Sequence, residues 1–448
     1  MLELRDIIAP YEERTLTLPP TPVPFIKLEE SDDSFSVPAG HLQATATQPF
    51  EVTKVLAGTV SRINTLCEGE DIKPVYDVEL GNFGNPGHRH WPGDTIGILT
   101  YNLQQDVDYL LDHLGLQHKD TMVCRVELDK SSSKKAAKVP PFVPRVVNYR
   151  RLFSECLDLR AVPKKSFLRG MAPYATDMAE RRFLEILCAK EGTAEYEKYI
   201  LKQGKGFLSF LKLVPSCKLP VTLLVEHLPK LMPRPYSIAN AYREEANPVI
   251  RLLFSHNTGE PGITTTYLRG VQPNAIVHFY FRHSSEFIYK DSDFVSDIVM
   301  IGTGTGISPY LAFLEQRAFC RRQGSPIGRA ELIIGFRYRD RNYLCQGEIL
   351  RYQQMGVLDA CHEVFSRDED SKFKYVQDFV AANKILIERT IDQNGIFYVC
   401  GDAKKFLPQV SETLTRTIGS AGQCTESVRS TNVNTLKAAG KYREDVWL

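Results

Sequence analysis

Residues 296–322, SDIVMIGTGTGISPYLAFLEQRAFCRR, decide how the chain is read. An apolar run, Ile298–Ile301, meets GTGTGISP (302–309), and apolar residues at helical spacing follow through Arg322. That is the pattern of a buried strand, a glycine-rich turn and a helix. Glycines let the chain turn tightly and bring backbone N–H groups close to a phosphate, and the helix start favours negative charge. The spacing differs from the common GxGxxG fingerprint, so taken alone the turn also fits a plain strand–helix junction. Further on, AELIIGFR (330–337), HEVFSR (362–367) and IFYVCGDA (396–403) read as strands with helical stretches among them. The alternation predicts a parallel, doubly wound sheet over 291–448.

Toward the N-terminus the pattern changes. FEVTKVLAGTVSRINTL (50–66) and PVYDVELG (74–81) alternate apolar and polar residues, and GHRHWPGDTIGILTY (87–101) carries a Pro-Gly-Asp turn into an apolar strand. TLLVEHL (222–228), RPYSIANA (234–241), VIRLLFSHN (249–257) and AIVHFYFRH (275–283) resume the strand pattern. Between these blocks, segments such as DVDYLLDHLGL (106–116) and DMAERRFLEILCAKEG (177–192) show helical spacing. DKSSSKKAAKVPPFVP (129–144) reads as a solvated surface loop. The expected organisation is a proline- and acid-rich linker or tail over 1–34, an antiparallel barrel over 35–105, a helical insertion over 106–215, the rest of the barrel over 216–290, and the α/β domain. His88, His90 and Trp91 are expected in a surface turn.

Composition excludes several classes. The 448 residues have a formal net charge of +1, so no global field attracts nucleic acid or an anionic membrane. No run of about 18 apolar residues suggests a membrane span, and the first residues lack the apolar core of a secretory signal. The ten cysteines are scattered without metal-ligand spacing, which points to reduced thiols, a cytoplasmic protein and no metal site.

Two further motifs carry chemistry. In RPYS (234–237), an arginine can neutralise a pyrophosphate, a tyrosine can stack on a flat ring and a serine can hydrogen-bond it. A buried tyrosine beside a surface arginine explains the same residues equally well. In GITTTYL (262–268), Gly262 opens a turn whose N–H groups, with Thr264 and Thr265, suit a phosphate, or simply cap a helix.

In order, RPYS, GxxTT, GTGTGISP, GFRYRDRNYL (335–344), FSR (365–367), KYVQ (374–377), YVCGDAK (398–404) and DVW (445–447) resemble the ferredoxin–NADP reductase family, and more narrowly its diflavin reductases. AVPKKSFLR (161–169) and EHLPKLMPRPYS (226–237) are most similar to the methionine synthase reductase branch. The resemblance runs from about residue 35 to 448. It implies an FAD-binding barrel and an NADP-binding domain. Arg234, Pro235, Tyr236 and Ser237 would hold the FAD, with Tyr236 stacked on its ring, and Gly262, Ile263, Thr264 and Thr265 would wrap its phosphates. Gly302, Thr303, Gly304, Thr305 and Gly306 would cradle the NADPH pyrophosphate. Ser366, Arg367, Lys374, Tyr375, Val376 and Gln377 would surround the adenosine 2′-phosphate, with Lys372 as the alternative to Lys374. A 2′-phosphate requires cations and hydroxyls where NAD requires an acid, so this set predicts NADPH. Ser237, Cys400 and Asp445 would surround the hydride path, Asp402 would meet the nicotinamide ribose, and Trp447 would cover the flavin face and move aside for nicotinamide.

The resemblance implies hydride transfer from NADPH to FAD and onward passage of electrons. The acceptor would be cobalamin-bound methionine synthase or a separate FMN-domain protein. Residues 1–50 offer no phosphate loop of the kind that opens an FMN domain, so this chain is not expected to bind FMN. The same residues also suit another diflavin reductase, or a docking remnant with little turnover. Two departures stand out: Leu448 replaces the usual terminal serine, and His41 stands near the barrel start where the family has a basic NADP contact.

Overall fold

The computed structural model describes residues 4–30, 37–84, 87–244, 248–259, 261–284, 286–419 and 431–447. Its strands, in chain order, are β1 (Ile26–Glu30), β2 (Leu56–Gly69), β3 (Ile72–Gly81), β4 (Thr95–Ile98), β5 (Val123–Leu128), β6 (Val146–Asn148), β7 (Arg234–Ser237), β8 (Ile250–Ser255), β9 (Ile276–Arg282), β10 (Ile298–Thr303), β11 (Ala330–Phe336), β12 (Ala360–Phe365), β13 (Ile396–Asp402) and β14 (Tyr442–Trp447). Contacts divide the chain into two units, Met1–Gln48 with Leu99–Pro233, and Pro49–Ile98 with Arg234–Leu448.

The first unit joins the antiparallel sheet β1–β5–β6 to short helices, including Gln104–His113, Met178–Cys188 and Phe207–Leu211. Phe153, Phe167, Phe183, Phe207 and Phe210 fill its core. Two expectations are corrected here. The 1–34 segment is not a solvated tail: Ile7, Ile8, Tyr11, Phe25 and Ile26 are buried, and β1 pairs with β5. Its prolines and acids hid a sparse set of apolar anchors. TLLVEHL forms the helix Val221–His227 rather than a strand, with Val221, Leu224 and Val225 buried. Pro220 occupies its N-cap, and a run this short has no decisive period. His41 is buried here, its Nε2 on the Thr100 carbonyl at 3.1 Å.

The second unit holds two sheets. The six-stranded antiparallel sheet runs β7–β4–β9–β2–β3–β8. An antiparallel bridge between Ile238 and Leu252 closes its two edges into a barrel. Val60, Val78, Ile96, Leu252 and Phe279 point inward and are almost completely shielded. His90 is not at the surface: it is buried, bonds the Asn240 carbonyl and stacks on Phe281. Burial lowers its pKa to about 4. A turn rich in Pro and Gly masked an apolar environment.

The other sheet is parallel, in the order β12–β11–β10–β13–β14. Ile298 and Met300 belong to one core and Val299 and Ile301 to another, because alternate residues of a strand face opposite sides. Both faces are therefore covered, as a doubly wound sheet requires.

Glu331, on β11, is buried and meets His362 Nε2 at 2.8 Å, Arg329 Nε at 2.9 Å, and Arg389. Burial alone would raise its pKa, but these partners outweigh it and hold the carboxyl at about 2. The folded value lies below the unfolded one, so its stabilisation is full above about pH 4.5 and fades as pH falls toward 2. Glu331→Gln is expected to lower unfolding stability by about 3 kcal/mol at neutral pH, read by chemical denaturation. It should also flatten the acid limb of stability against pH.

Candidate active site

The C-terminal strands bring together the residues around which the sequence reading turns. β13 and β14 run parallel in a register that sets Cys400 beside Asp445. Ser237 Oγ, at the end of β7, donates to Asp445 Oδ2 at 2.8 Å, and Cys400 Sγ lies 3.5 Å from the same oxygen. A barrel strand and two strands of the parallel sheet thus converge on one carboxylate. Cys400 is fully buried, and burial first, then the Asp445 charge, push its thiol well above its usual pKa. It therefore stays protonated and points a weak donor at the acid. Two residues earlier on β14, Arg443 donates to Asp293 Oδ2 at 2.7 Å and to Tyr398 Oη at 2.8 Å, fixing the strand that carries Asp445. Trp447 ends β14 in register with Asp402, and its side chain lies outside the described residues.

Along β7, Arg234 and Pro235 are exposed and Tyr236 is half-buried. Burial raises the Tyr236 phenol pKa, against the lowering effects of Arg234 and of the Thr264 hydroxyl beside it. Thr264 belongs to the helix Ile263–Gly270, whose N-cap Gly262 offers no side-chain acceptor to the first turn. Ile263 and Thr264 are buried, and Thr265 Oγ1 turns back to the Gly262 carbonyl at 3.1 Å. A helix start without a side-chain cap, next to an exposed arginine and a shielded phenol ring, fits the phosphates and flat ring of FAD.

A cavity of about 400 Å³ opens at the ends of the parallel strands. Thr303, Gly304, Thr305, Ser366, Lys374, Tyr375, Val376, Gln377 and Asp402 line it. Gly304 has φ +53°, a left-handed turn that favours glycine and lets the backbone lie against a ligand. Gly302 and Gly306 are buried beneath it: a Cβ on Gly302 would stand 3.0 Å from the Tyr310 ring. Arg367 lines an adjoining cavity of about 450 Å³ with Tyr338, Arg339 and Asp368. Lys374 reaches the first cavity while bonding the Asp368 carbonyl, whereas Lys372 lies over the Phe373 ring. Asp402 Oδ1 accepts the N–H groups of Lys404 and Lys405 at 2.9 and 3.0 Å. Burial acts to raise its pKa, and the Lys405, Lys404 and Phe406 N–H groups prevail and lower it. The donor set of hydroxyls, lysines, Arg337 and turn amides fits a phosphorylated dinucleotide.

Several residues that the sequence did not single out belong to these walls, Lys405 among them. Lys73 and Arg337 line the same cavity. Lys73 comes from a barrel strand more than two hundred residues before the cavity's other cation-bearing loops, and only tertiary closure brings it near.

The fold and this cleft define a class. An FAD-binding domain family matches residues 48–254, and an oxidoreductase NAD-binding domain family matches residues 300–412. The molecule is an NADPH-dependent flavoprotein reductase of the diflavin type. Methionine synthase reductase of Rattus norvegicus is 30% identical over 99% of this chain and 67% of its own length. The Homo sapiens protein of that name is 29% identical over 98% of the chain and 67% of its own length. The NADPH–cytochrome P450 reductase of Salmo trutta is 29% identical over 91% and 65% respectively. The chain belongs to the methionine synthase reductase family. Among the described residues, no helix is long and apolar enough to cross a membrane.

Proposed function

We propose that this chain takes hydride from NADPH onto FAD and sends the electrons, through an FMN domain or FMN protein, to cobalamin-bound methionine synthase in the cytoplasm. The observation that carries the first half is the meeting of Ser237, Cys400 and Asp445 at one carboxylate. The second half rests on the methionine synthase reductases that resemble the chain over almost its full extent.

FAD, when bound, supplies the two-electron acceptor. The protein's part is to bind, orient and exclude water. Arg234 and the first turn of Ile263–Gly270 hold phosphate, and Tyr236 gives a flat apolar wall. Thr303–Thr305 present turn amides to the coenzyme pyrophosphate, and Ser366, Lys374, Tyr375 and Gln377, with Arg367 close by, take the 2′-phosphate. Asp445 stabilises positive charge that develops on the nicotinamide side as hydride leaves. Ser237 Oγ and Cys400 Sγ keep that carboxylate fixed and hold protons beside it. Their small side chains leave room for close approach of donor carbon and acceptor nitrogen. An intact triad of this kind favours turnover over a docking remnant.

The FAD-loaded protein is expected to bleach under NADPH and hardly under NADH. With an FMN domain present, electron delivery to cobalamin-bound methionine synthase should exceed delivery to a cytochrome P450. Equal bleaching by both coenzymes would overturn the NADPH assignment. Faster delivery to the cytochrome would overturn the methionine synthase assignment.

A further inference from the structure

The β2–β3 hairpin turns through Glu70 and Asp71, and Asp71 has φ +57°. Its carboxylate does not face open solvent alone. Asp71 Oδ1 accepts from Arg337 Nη1 at 2.7 Å, and the Asp71 carbonyl accepts from the same nitrogen. Asp71 Oδ2 accepts from Tyr338 Oη at 3.1 Å and stands 4.0 Å from Arg367 Nε. The two arginines are also tied together: the Arg367 N–H donates to the Arg337 carbonyl at 2.8 Å, just past the paired ends of β11 and β12. Arg337 lines the cavity that contains Ser366 and Lys374, and Arg367 lines its neighbour. Nearby cations have other partners, since Arg339 pairs with Glu363 at 2.7 Å. One barrel carboxylate is thus lodged between two guanidinium groups at the edge of the coenzyme cleft.

We propose that Asp71 is an affinity-setting residue for the coenzyme: its carboxylate acts as an internal counter-ion that the adenosine 2′-phosphate must displace from Arg337 and Arg367. The proposal rests on the coenzyme reading given above. A phosphate near two charges outbids a single carboxylate for a guanidinium fork. Asp71, Arg337 and Arg367 are each roughly half exposed, so the pairing they share is weak and reversible. A ligand without the 2′-phosphate has no anion with which to displace Asp71. The hairpin tip thereby taxes binding of the phosphorylated coenzyme and favours its release after hydride has left.

The test is calorimetric binding of adenosine 2′,5′-bisphosphate and of 5′-AMP to the full chain, in the wild type, Asp71→Asn and Glu70→Gln. Asp71→Asn keeps the size and the polar edge and removes the charge. It should bind the bisphosphate about two- to fivefold more tightly at low salt, the strength of an exposed ion pair, and the gain should vanish at high salt. Its affinity for 5′-AMP should stay as in the wild type, and Glu70→Gln, on the same turn, should leave both constants unchanged. Unchanged or weaker bisphosphate binding by Asp71→Asn would overturn the proposal, because Asp71 would then only prop the arginines in place. A wild type that binds the bisphosphate and 5′-AMP alike would overturn the 2′-phosphate reading, and this proposal with it. A wild type that prefers the bisphosphate beside an unaltered Asp71→Asn sinks the Asp71 role alone.

Discussion

Replacing Asp445 by alanine is expected to slow flavin reduction by NADPH about a hundredfold, the usual cost of losing one charge-stabilising group in a closed site. FAD content should change little, because of the candidate FAD contacts on β7 and the helix Ile263–Gly270 only Ser237 is bonded to Asp445. Asp445 gathers a 2.8 Å bond from Ser237 and a 3.5 Å contact from Cys400, so its loss also frees two donors to reorient. Asp445→Asn keeps the shape and removes the charge. It separates the two effects: a rate near that of alanine assigns the loss to charge, and a rate near wild type assigns it to packing. Single-turnover absorbance reads the step directly. Because the group acts in the transition state, kcat should fall with little change in KM. Arg443→Met should produce a milder loss of the same kind, since Arg443 holds β14 to Asp293 and Tyr398 two residues before Asp445.

Charge reversal at Arg367 should lower kcat/KM for NADPH about 30- to 100-fold and leave NADH nearly untouched. The estimate corresponds to about 2–3 kcal/mol, the loss of one charge-assisted phosphate contact at a half-exposed position plus new repulsion. Arg367→Glu also sets an acid near Asp71, whose Oδ2 stands 4.0 Å from Arg367 Nε in the wild type, so part of the loss comes from two acids at the hairpin tip. Comparing the double variant Arg367→Glu with Asp71→Asn isolates that part. Steady-state rates with both coenzymes at fixed ionic strength provide the check, because exposed charges are screened by salt. A parallel fall for NADPH and NADH would move Arg367 away from the phosphate and into general binding.

The sequence carried the architecture wherever periodicity was long and uniform. β10, β11 and β13 announce themselves as largely apolar runs separated by helical spacing, and GTGTGISP marks the turn above β10. The triad was legible only through motif order, because Ser237, Cys400 and Asp445 are more than two hundred residues apart at the extremes and nothing local links them. Where signals were short or compositional, they misled. Pro and acidic residues made 1–34 look solvated although Ile7, Tyr11 and Phe25 are buried. His90 sits in a turn sequence yet packs on Phe281. Val221–His227 is too brief for its period to distinguish helix from strand. Lys73 and Asp71 escaped notice for a different reason. They are ordinary charged residues of a hairpin, and only the closing of the second unit sets them at the coenzyme cleft.

Anaerobic mixing of the FAD-loaded chain with NADPH carrying deuterium at the transferable position of the nicotinamide tests the central claim most directly. Loss of the flavin's visible band should show a primary isotope effect in the wild type. The effect should persist, on a rate lowered about a hundredfold, in Asp445→Ala. Bleaching that is insensitive to the isotope and equally fast in the wild type and Asp445→Ala would mean that hydride does not pass beside Ser237, Cys400 and Asp445.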